Sequence, residues 1–416
     1  MTTIPKDTTP VIVEPPVSYF LGPQEIGDEE IAMVTQALRS KNLFRYLKNE
    51  EDSFTFRFEK EFRKATGVEH ALAVNSGTSA LICALVGLGV SSGDEVIVPA
   101  YTYIATAAAV MAVRGIPVIA EIDNSLTLDP ADVERKITPR TKAIIPVHMR
   151  GTPSRMDEIM KIAHKHGLVV IEDCAQANGG FHKGRPLGSI GHAGAFSFQQ
   201  FKIITAGEGG AFVTNDSSVY ERGCCYHDGA YEFWCALDNR PIGIVPFLGE
   251  NYRMSDLNGA LALAQLGKRD RILTRLRELK KRLKNGIVDL GNIEFQDVPD
   301  AEGDCAISLI FFMETPELAK RAAEKFQKLG MRATNSIPDR HFFNHWNYIL
   351  EKRSPDLYGH PWTDAARPCQ VEYSKDMCPQ STDYLSRHIN IALTQSMSDA
   401  HIDSCIHAIN YTLSSL

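Results

Sequence analysis

The sequence predicts an α/β protein: a large domain built on a mainly parallel sheet, followed by a smaller α+β domain. Three observations carry this reading. Short apolar strands alternate with helical segments between residues 71 and 171, the rhythm of strand–helix–strand units in parallel sheets. Near residue 256 that rhythm gives way to a long amphipathic helical run. The chain of 416 residues is also long enough for two or three domains and a large core.

Taken in order, residues 1–20 carry four prolines and read as an extended arm. Residues 21–255 form the large domain and 256–416 the small one. From about residue 28, Ile31, Val34 and Leu38 fall on one helical stripe. "DSFTFRFEKEFRKATG" is a second helix closed by Gly67. Strands follow at Ala71–Val74, Glu95–Val98, Val118–Ala120, Ala143–Val147 and Leu168–Ile171. Between them, Asp129 caps a helix that begins with Pro130, and Met156–His166 is closed by Gly167. Ligands in such sheets bind beyond the carboxyl ends of the strands. That rule marks the loops 75–79, 99–103, 148–152 and 173–176.

The run "DLNGALALAQLGKRDRILTRLRELKKRLKNGI" reads as one long helix, with Ile272, Leu276, Leu279 and Leu283 on its apolar stripe and a solvated basic face. A strand at Ala306–Phe312 comes next, then a helix at Pro316–Leu329 closed by Gly330. A polar, aromatic loop runs to about residue 380, and an amphipathic helix starts near 398.

Composition narrows the function. The net charge of -7 is spread along the chain, which argues against nucleic acid or an anionic membrane as partner. Nine scattered cysteines show no metal-ligand or disulfide pattern, so no metal is expected and a reducing compartment fits. The N-terminus lacks the pattern of a signal peptide, and runs such as "ALICALVGLGV" are too short to span a bilayer. The expectation is a soluble, cytoplasmic protein.

Three segments hold candidate chemistry. "NSGTSAL" (75–81) ends a strand and opens a helix, so Gly77, Thr78 and Ser79 offer amides and hydroxyls to an anion. Alone, it reads first as an ordinary capped helix. "VVIEDCAQANGG" (169–180) places Asp173 at a strand's carboxyl end, either as a turn cap or as a buried anion needing a cation. In "GAFSFQQFKIITAGEGGAFV" (194–213) the only cation is Lys202. Desolvation there would lower its pKa and free its amine, unless the side chain snorkels to water. Together, an anion-binding turn, a strand-end aspartate and a lysine after it are the parts needed to hold pyridoxal 5'-phosphate.

With these motifs in order, the chain resembles the DegT-type sugar aminotransferases, fold-type I enzymes that use this cofactor. The motifs are "SGTSAL", "VPAYTYIAT", "VIEDCAQANGG", "SFQQFKIITAGEGG" and "ENYRMSDLNGALALAQL". The resemblance implies a seven-stranded, mostly parallel sheet in the large domain. It implies Lys202 as the Schiff-base lysine and proton shuttle, with Asp173 paired to the pyridinium nitrogen. Gln176 would bond the ring hydroxyl and Tyr103 stack on the ring. Thr78, Ser197 and the amides of Gly77–Ser79 would bind the phosphate. Asn251 would reach the phosphate of a neighbouring subunit, making the active sites shared in a homodimer. Where the family commonly has histidine, Asn178 stands, and some relatives with histidine at the lysine position are dehydratases.

The implied activity moves an amino group from glutamate or glutamine to a keto or aldehyde carbon of a sugar-like acceptor in amino-sugar biosynthesis. The stretches "NLFRYLKNEEDSF" and "DRHFFNHWNYILEKRSPDLYGHPW" tilt the acceptor towards non-nucleotide compounds, such as an 8-oxo octulosonate or a keto-inositol. A nucleotide-linked keto-sugar is the alternative. A dehydratase and a non-catalytic regulator remain as readings outside transamination. Arg45, His341, His345 and Trp346 are candidate substrate contacts, or else members of self-packed surface loops.

Overall fold

Alternating apolar strands and capped helices generate the observed architecture directly. The computed structural model describes residues 11–47, 51–288, 290–334 and 340–416; half of the expected arm, and part of each of the two stretches read for the acceptor (42–54 and 339–362), lie outside them. The large unit begins with α1 (Asp28–Arg39) and α2 (Phe54–Thr66). It then runs β1 (His70–Val74), α3 (Gly77–Gly87), β2 (Glu95–Pro99), α4 (Ala105–Ala112), β3 (Ile116–Ala120), α5 (Pro130–Lys136), β4 (Thr141–Ile144), α6 (Met156–His166) and β5 (Val169–Asp173). A small hairpin, β6 (Phe181–His182) and β7 (Arg185–Pro186), precedes β8 (Ala193–Ser197), β9 (Gly210–Thr214), α7 (Ser217–His227) and α8 (Tyr231–Leu237). Seven strands join in the order β1-β9-β8-β5-β4-β2-β3. β2, β3, β4, β5 and β8 are parallel, and β9 runs against both neighbours.

The two sheet faces bury separate cores. Ala71, Ala73, Ile97 and Val170 pack on one side, while Leu72, Val74, Val98 and Ile171 pack on the other, as period-2 side chains must in a sheet covered on both faces. Phe58 and Phe62 of α2 meet Phe198 and Phe196 edge-on, with centroids 5.2 and 4.9 Å apart. Each buried phenyl contributes roughly 1.5–3 kcal/mol, so α2 anchors the segment that carries Ser197 and Lys202.

Two expectations are corrected. Of the predicted stripe, Val34 packs against the cluster of Ala37, Phe54 and Ala260, but Ile31 and Leu38 face outwards (61% and 54% exposed), with Glu30 and Ala37 turned in instead. The cause is polar: the buried Glu30 carboxylate accepts from Gly27 N, Gln265 Nε2 and Lys268 Nζ at 2.8–2.9 Å, and that network fixes the rotation of α1. The long helix is also broken. α9 (Asp256–Leu266) docks on α2, where a Cβ on Gly259 would stand 2.6 Å from Thr55 Oγ1. Gly267 and Lys268 then intervene before α10 (Arg269–Gly286), with Lys268 turned aside to pair with Glu29 and Glu30.

The remaining elements are β10 (Ile293–Phe295), β11 (Ser308–Met313), α11 (Pro316–Lys328), β12 (Ala333–Thr334), α12 (Asn347–Leu350), α13 (Pro379–Arg387), β13 (His388–Ala392) and α14 (Asp399–Ser414). Their four-stranded antiparallel sheet has the order β10-β11-β13-β12. The apolar stripe of α10 packs beneath it, and the basic residues Arg275 and Arg282 pair with Asp399 and Asp403 of α14. Residues 342–385 return to the large unit, burying Phe342, Phe343, Trp346 and Trp362 in its second core. The nine cysteines are unpaired, and no helix among the described residues is long and apolar enough to cross a membrane.

Candidate active site

The carboxyl ends of β1, β2, β4 and β5 open into one cavity of about 900 Å³, which β8 and the small sheet complete. After β1, Ser76 caps α3 by accepting from Ser79 N at 3.1 Å. The first amides of a helix have no intrahelical partner, so Gly77 and Thr78 present theirs to the cavity beside Ser197. A Cβ on Gly77 would lie 2.8 Å from Ser197 Cβ, so only glycine allows this close approach.

Asp173 ends β5 with its carboxylate buried. Thr106 Oγ1 donates to Oδ2 at 2.9 Å and Ala175 N to Oδ1 at 3.1 Å. Burial nevertheless pushes its pKa up, against those bonds and the field of Lys202. Lys202 lines the same cavity, and burial pushes its pKa down; Asp173 opposes that shift and Arg150 adds to it. The pair thus comprises a carboxylate lacking a close cation and an amine biased towards its free-base form.

Tyr103 and Gln176 also line the cavity, as does His341 from the 340–380 segment. Gln176 is oriented by Arg150 N, which donates to its Oε1 at 3.0 Å. Other expected residues lie elsewhere. Ser79 is turned into the fold: its amide serves the Ser76 cap and its hydroxyl donates to Asn75 Oδ1 at 2.6 Å. Asn251 is exposed and outside the cavity of its own chain. Arg45 is buried away from the cavity in an ion pair with Glu59. Trp346 is buried with its indole N–H directed at Arg340 O, and His345 is exposed beside it; neither lines the cavity. Their neighbours Phe342 and Phe343 fill core space.

Sequence reasoning missed Ser76, Thr106, Arg150, Arg332, Thr334 and Asn390, all of which line the cavity. Ser76, Thr106 and Arg150 sit in or beside the marked loops, so the strand-end rule was a usable signal for them. The last three come from the small sheet, where no local pattern points to the cavity. A second group, His148, Glu172 and Cys174, has metal-ligand chemistry within 4.8 Å. There the two Glu172 oxygens are already engaged by Gly188 N, Ile190 N, Gly191 N and His148 Nε2. This carboxylate holds the loop before β8.

An anion cradle at a helix N-terminus, a buried carboxylate in need of a cation and a desolvated amine together fit pyridoxal 5'-phosphate. Fold and site define a pyridoxal-phosphate-dependent enzyme of fold-type I. The chain belongs to the DegT/DnrJ/EryC1/StrS aminotransferase family, whose model matches residues 24–410. It is 33% identical to the spore coat polysaccharide biosynthesis protein SpsC of Bacillus subtilis (strain 168) over 389 residues, covering 92% of this chain and 94% of that protein. It is 41% identical to the GDP-perosamine synthase of Caulobacter vibrioides over 244 residues, covering 58% of this chain; the match spans only 63% of that enzyme. Among solved structures, the aminotransferase from Psychrobacter cryohalolentis superposes with a TM-score of 0.79 at 25% identity, covering 97% of this chain and 99% of that one.

Proposed function

We propose that this chain transfers an amino group from glutamate or glutamine to the carbonyl carbon of a hydroxylated, sugar-like acceptor. The observation that carries this reading is the single cavity shared by buried Asp173, desolvated Lys202 and the N-terminus of α3. Pyridoxal phosphate, when bound, supplies an electron sink that weakens the bond between the substrate's α carbon and its hydrogen.

The residues divide the remaining work. The amides of Gly77 and Thr78, with the Ser197 hydroxyl, take the phosphate, using the positive end of the helix. The Asp173 carboxylate, fixed by Thr106 and Ala175, accepts a hydrogen bond from the ring N–H and keeps it protonated. Tyr103 would stack on the ring, and Gln176, steadied by Arg150 N, would bond the ring hydroxyl. Lys202 Nζ would take up the α proton of the donor and hold it for return; its lowered pKa favours the unprotonated amine this requires. The same steps run in reverse order on the acceptor.

A homodimer belongs to the same proposal. Asn251 is exposed and lies outside its own chain's cavity, which is compatible with the family role of reaching a second copy's phosphate. A non-nucleotide acceptor such as an 8-oxo octulosonate or a keto-inositol is one reading. The name of the Caulobacter relative supports the other, a GDP-linked keto-sugar.

The test follows the visible absorbance of the bound cofactor. Glutamate or glutamine should convert it to the amine form, and a keto-sugar should restore it. Lys202→Ala should lose both the absorbance of covalently held cofactor and turnover. Full activity in that variant would sink the assignment.

A further inference from the structure

The small sheet turns one face towards the cavity. β12 and β13 pair Thr334 with Asn390 and Ala333 with Ile391. Side chains alternate along a strand, so Arg332, Thr334, Asn390 and Ala392 share a face, and all four line the cavity. Ala333 and Ile391, on the other face, pack into the core with α10, α11 and α14.

Asn390 is the unusual member. It is only 6% exposed, yet its Oδ1 is buried without a hydrogen-bond partner. Ser308, which faces Ala392 across β11 and β13, is 4% exposed with its Oγ equally unpartnered. Buried polar groups are nearly always bonded, and leaving one unmet is costly. Ser308 lies outside the cavity wall, whereas Asn390 lines it, and this unmet buried oxygen in the wall marks a surface built to receive a polar ligand.

The chemistry of the carboxamide selects the ligand group. Oδ1 accepts only, and the adjoining NH₂ donates only. The carboxylates of glutamate only accept, and its ammonium is the group that reacts; the side-chain amide of glutamine can also donate and accept, so the test includes glutamine. A hydroxyl both donates and accepts, so it matches both ends of a carboxamide. We propose that Asn390 is a specificity-determining residue that reads a hydroxyl of the carbonyl acceptor, with Arg332, Thr334 and Ala392 as the rest of that subsite. This rests on the aminotransferase reading above.

Asn390→Leu, nearly isosteric and apolar, tests it in the cofactor-loaded protein. Three steps are followed by cofactor absorbance. These are conversion by glutamate or by glutamine, return by 2-oxoglutarate, which has no hydroxyl, and return by scyllo-inosose or a GDP-linked 4-keto-6-deoxyhexose. The variant should keep the glutamate and 2-oxoglutarate steps within about twofold of wild type. With the hydroxylated carbonyl that wild type accepts, kcat/KM should fall on the order of 10- to 100-fold, chiefly through KM. Thermal unfolding should not shift downwards, because a buried, unpaired amide oxygen has been removed. Asn390→Asp, which keeps the shape but cannot donate when ionised, should show the same selective loss and covers the case in which the leucine variant fails to fold. Equal loss with 2-oxoglutarate, no loss with the hydroxylated carbonyl, or a lowered melting temperature with general loss would each overturn the proposal. If wild type itself uses neither donor, or none of the hydroxylated carbonyls, the aminotransferase reading falls instead, and this one with it.

Discussion

Arg45 and Glu59 form a buried ion pair that grips both polar groups of one residue, Ala73. The pair closes at 2.9 Å with side chains 2% and 7% exposed. Arg45 Nη1 donates to Ala73 O at 3.3 Å, and Glu59 Oε1 accepts from Ala73 N at 2.7 Å. β1 is the edge of the large sheet, so the pair stands in for the strand that would otherwise satisfy this backbone. Arg45→Met leaves a buried carboxylate uncompensated and should cost about 3–5 kcal/mol in urea unfolding. The double variant Arg45→Met/Glu59→Met should lose less than the sum of the single changes. A selective rise in acceptor KM with unchanged stability would return Arg45 to the substrate site.

Burial of the Asp173 carboxylate carries a cost in the cofactor-free protein. Its folded pKa is raised above the unfolded value by burial. Between those two values the folded state binds more protons, so the cofactor-free protein loses stability as pH rises through that window. Asp173→Asn should remove this contribution, leaving the cofactor-free protein more stable than wild type at neutral pH while turnover is lost. Melting curves of both apo-proteins from pH 4 to 8 check it, and a less stable variant at pH 7 contradicts it.

What the sequence made legible was local or periodic. Gly67 and Gly167 end their helices in left-handed conformations, and Asp129 caps the helix that starts at Pro130. These signals lie within a few residues of the feature they cause. The loops after the strands were marked by the same logic, and all four contribute to the cavity. The misplacements have a different origin. Ile31 and Leu38 satisfy helical periodicity, yet Glu30 is drawn inwards by Gln265 and Lys268, residues remote in sequence. Arg45 resembled a substrate-binding cation because nothing near it in sequence announces Glu59 as its partner. Asn390 was invisible because a lone asparagine in a strand gains meaning only when β12, β13 and the large sheet assemble around one space.

Gly77 is required by contact rather than by backbone angle. A methyl group there would meet Ser197 Cβ at 2.8 Å and Oγ at 3.3 Å. Relief would push α3 away from β8 and separate the two halves of the anion cradle. Gly77→Ala should weaken cofactor binding on the order of 10- to 100-fold, about 1.4–2.8 kcal/mol. Folding should be little affected, since alanine is a better helix former than glycine. Equilibrium reconstitution of apo-protein, followed by absorbance, measures the first effect. Undiminished cofactor affinity would remove Gly77 and Ser197 from the cradle.

Arg150 and Asp173 act on Lys202 with opposite signs, and this gives the site a paired test. Burial lowers the Lys202 pKa; Arg150 lowers it further, and Asp173 raises it. Arg150 occupies a left-handed conformation, φ 55°, rare for a residue with a side chain. Its guanidinium is steered by Tyr101 OH, with Nη2 at 3.1 Å and Nε at 3.3 Å. Removing a nearby cation makes the ammonium form easier to hold, so Arg150→Gln should raise the Lys202 pKa. The acid limb of cofactor capture by apo-protein then moves to higher pH. Asp173→Asn removes an anion, lowers that pKa and moves the limb to lower pH. Both shifts should persist at high salt, because buried charges are screened far less than exposed ones. Titrating capture by absorbance across pH in the three proteins settles the signs, and shifts in the same direction for both variants would refute the arrangement.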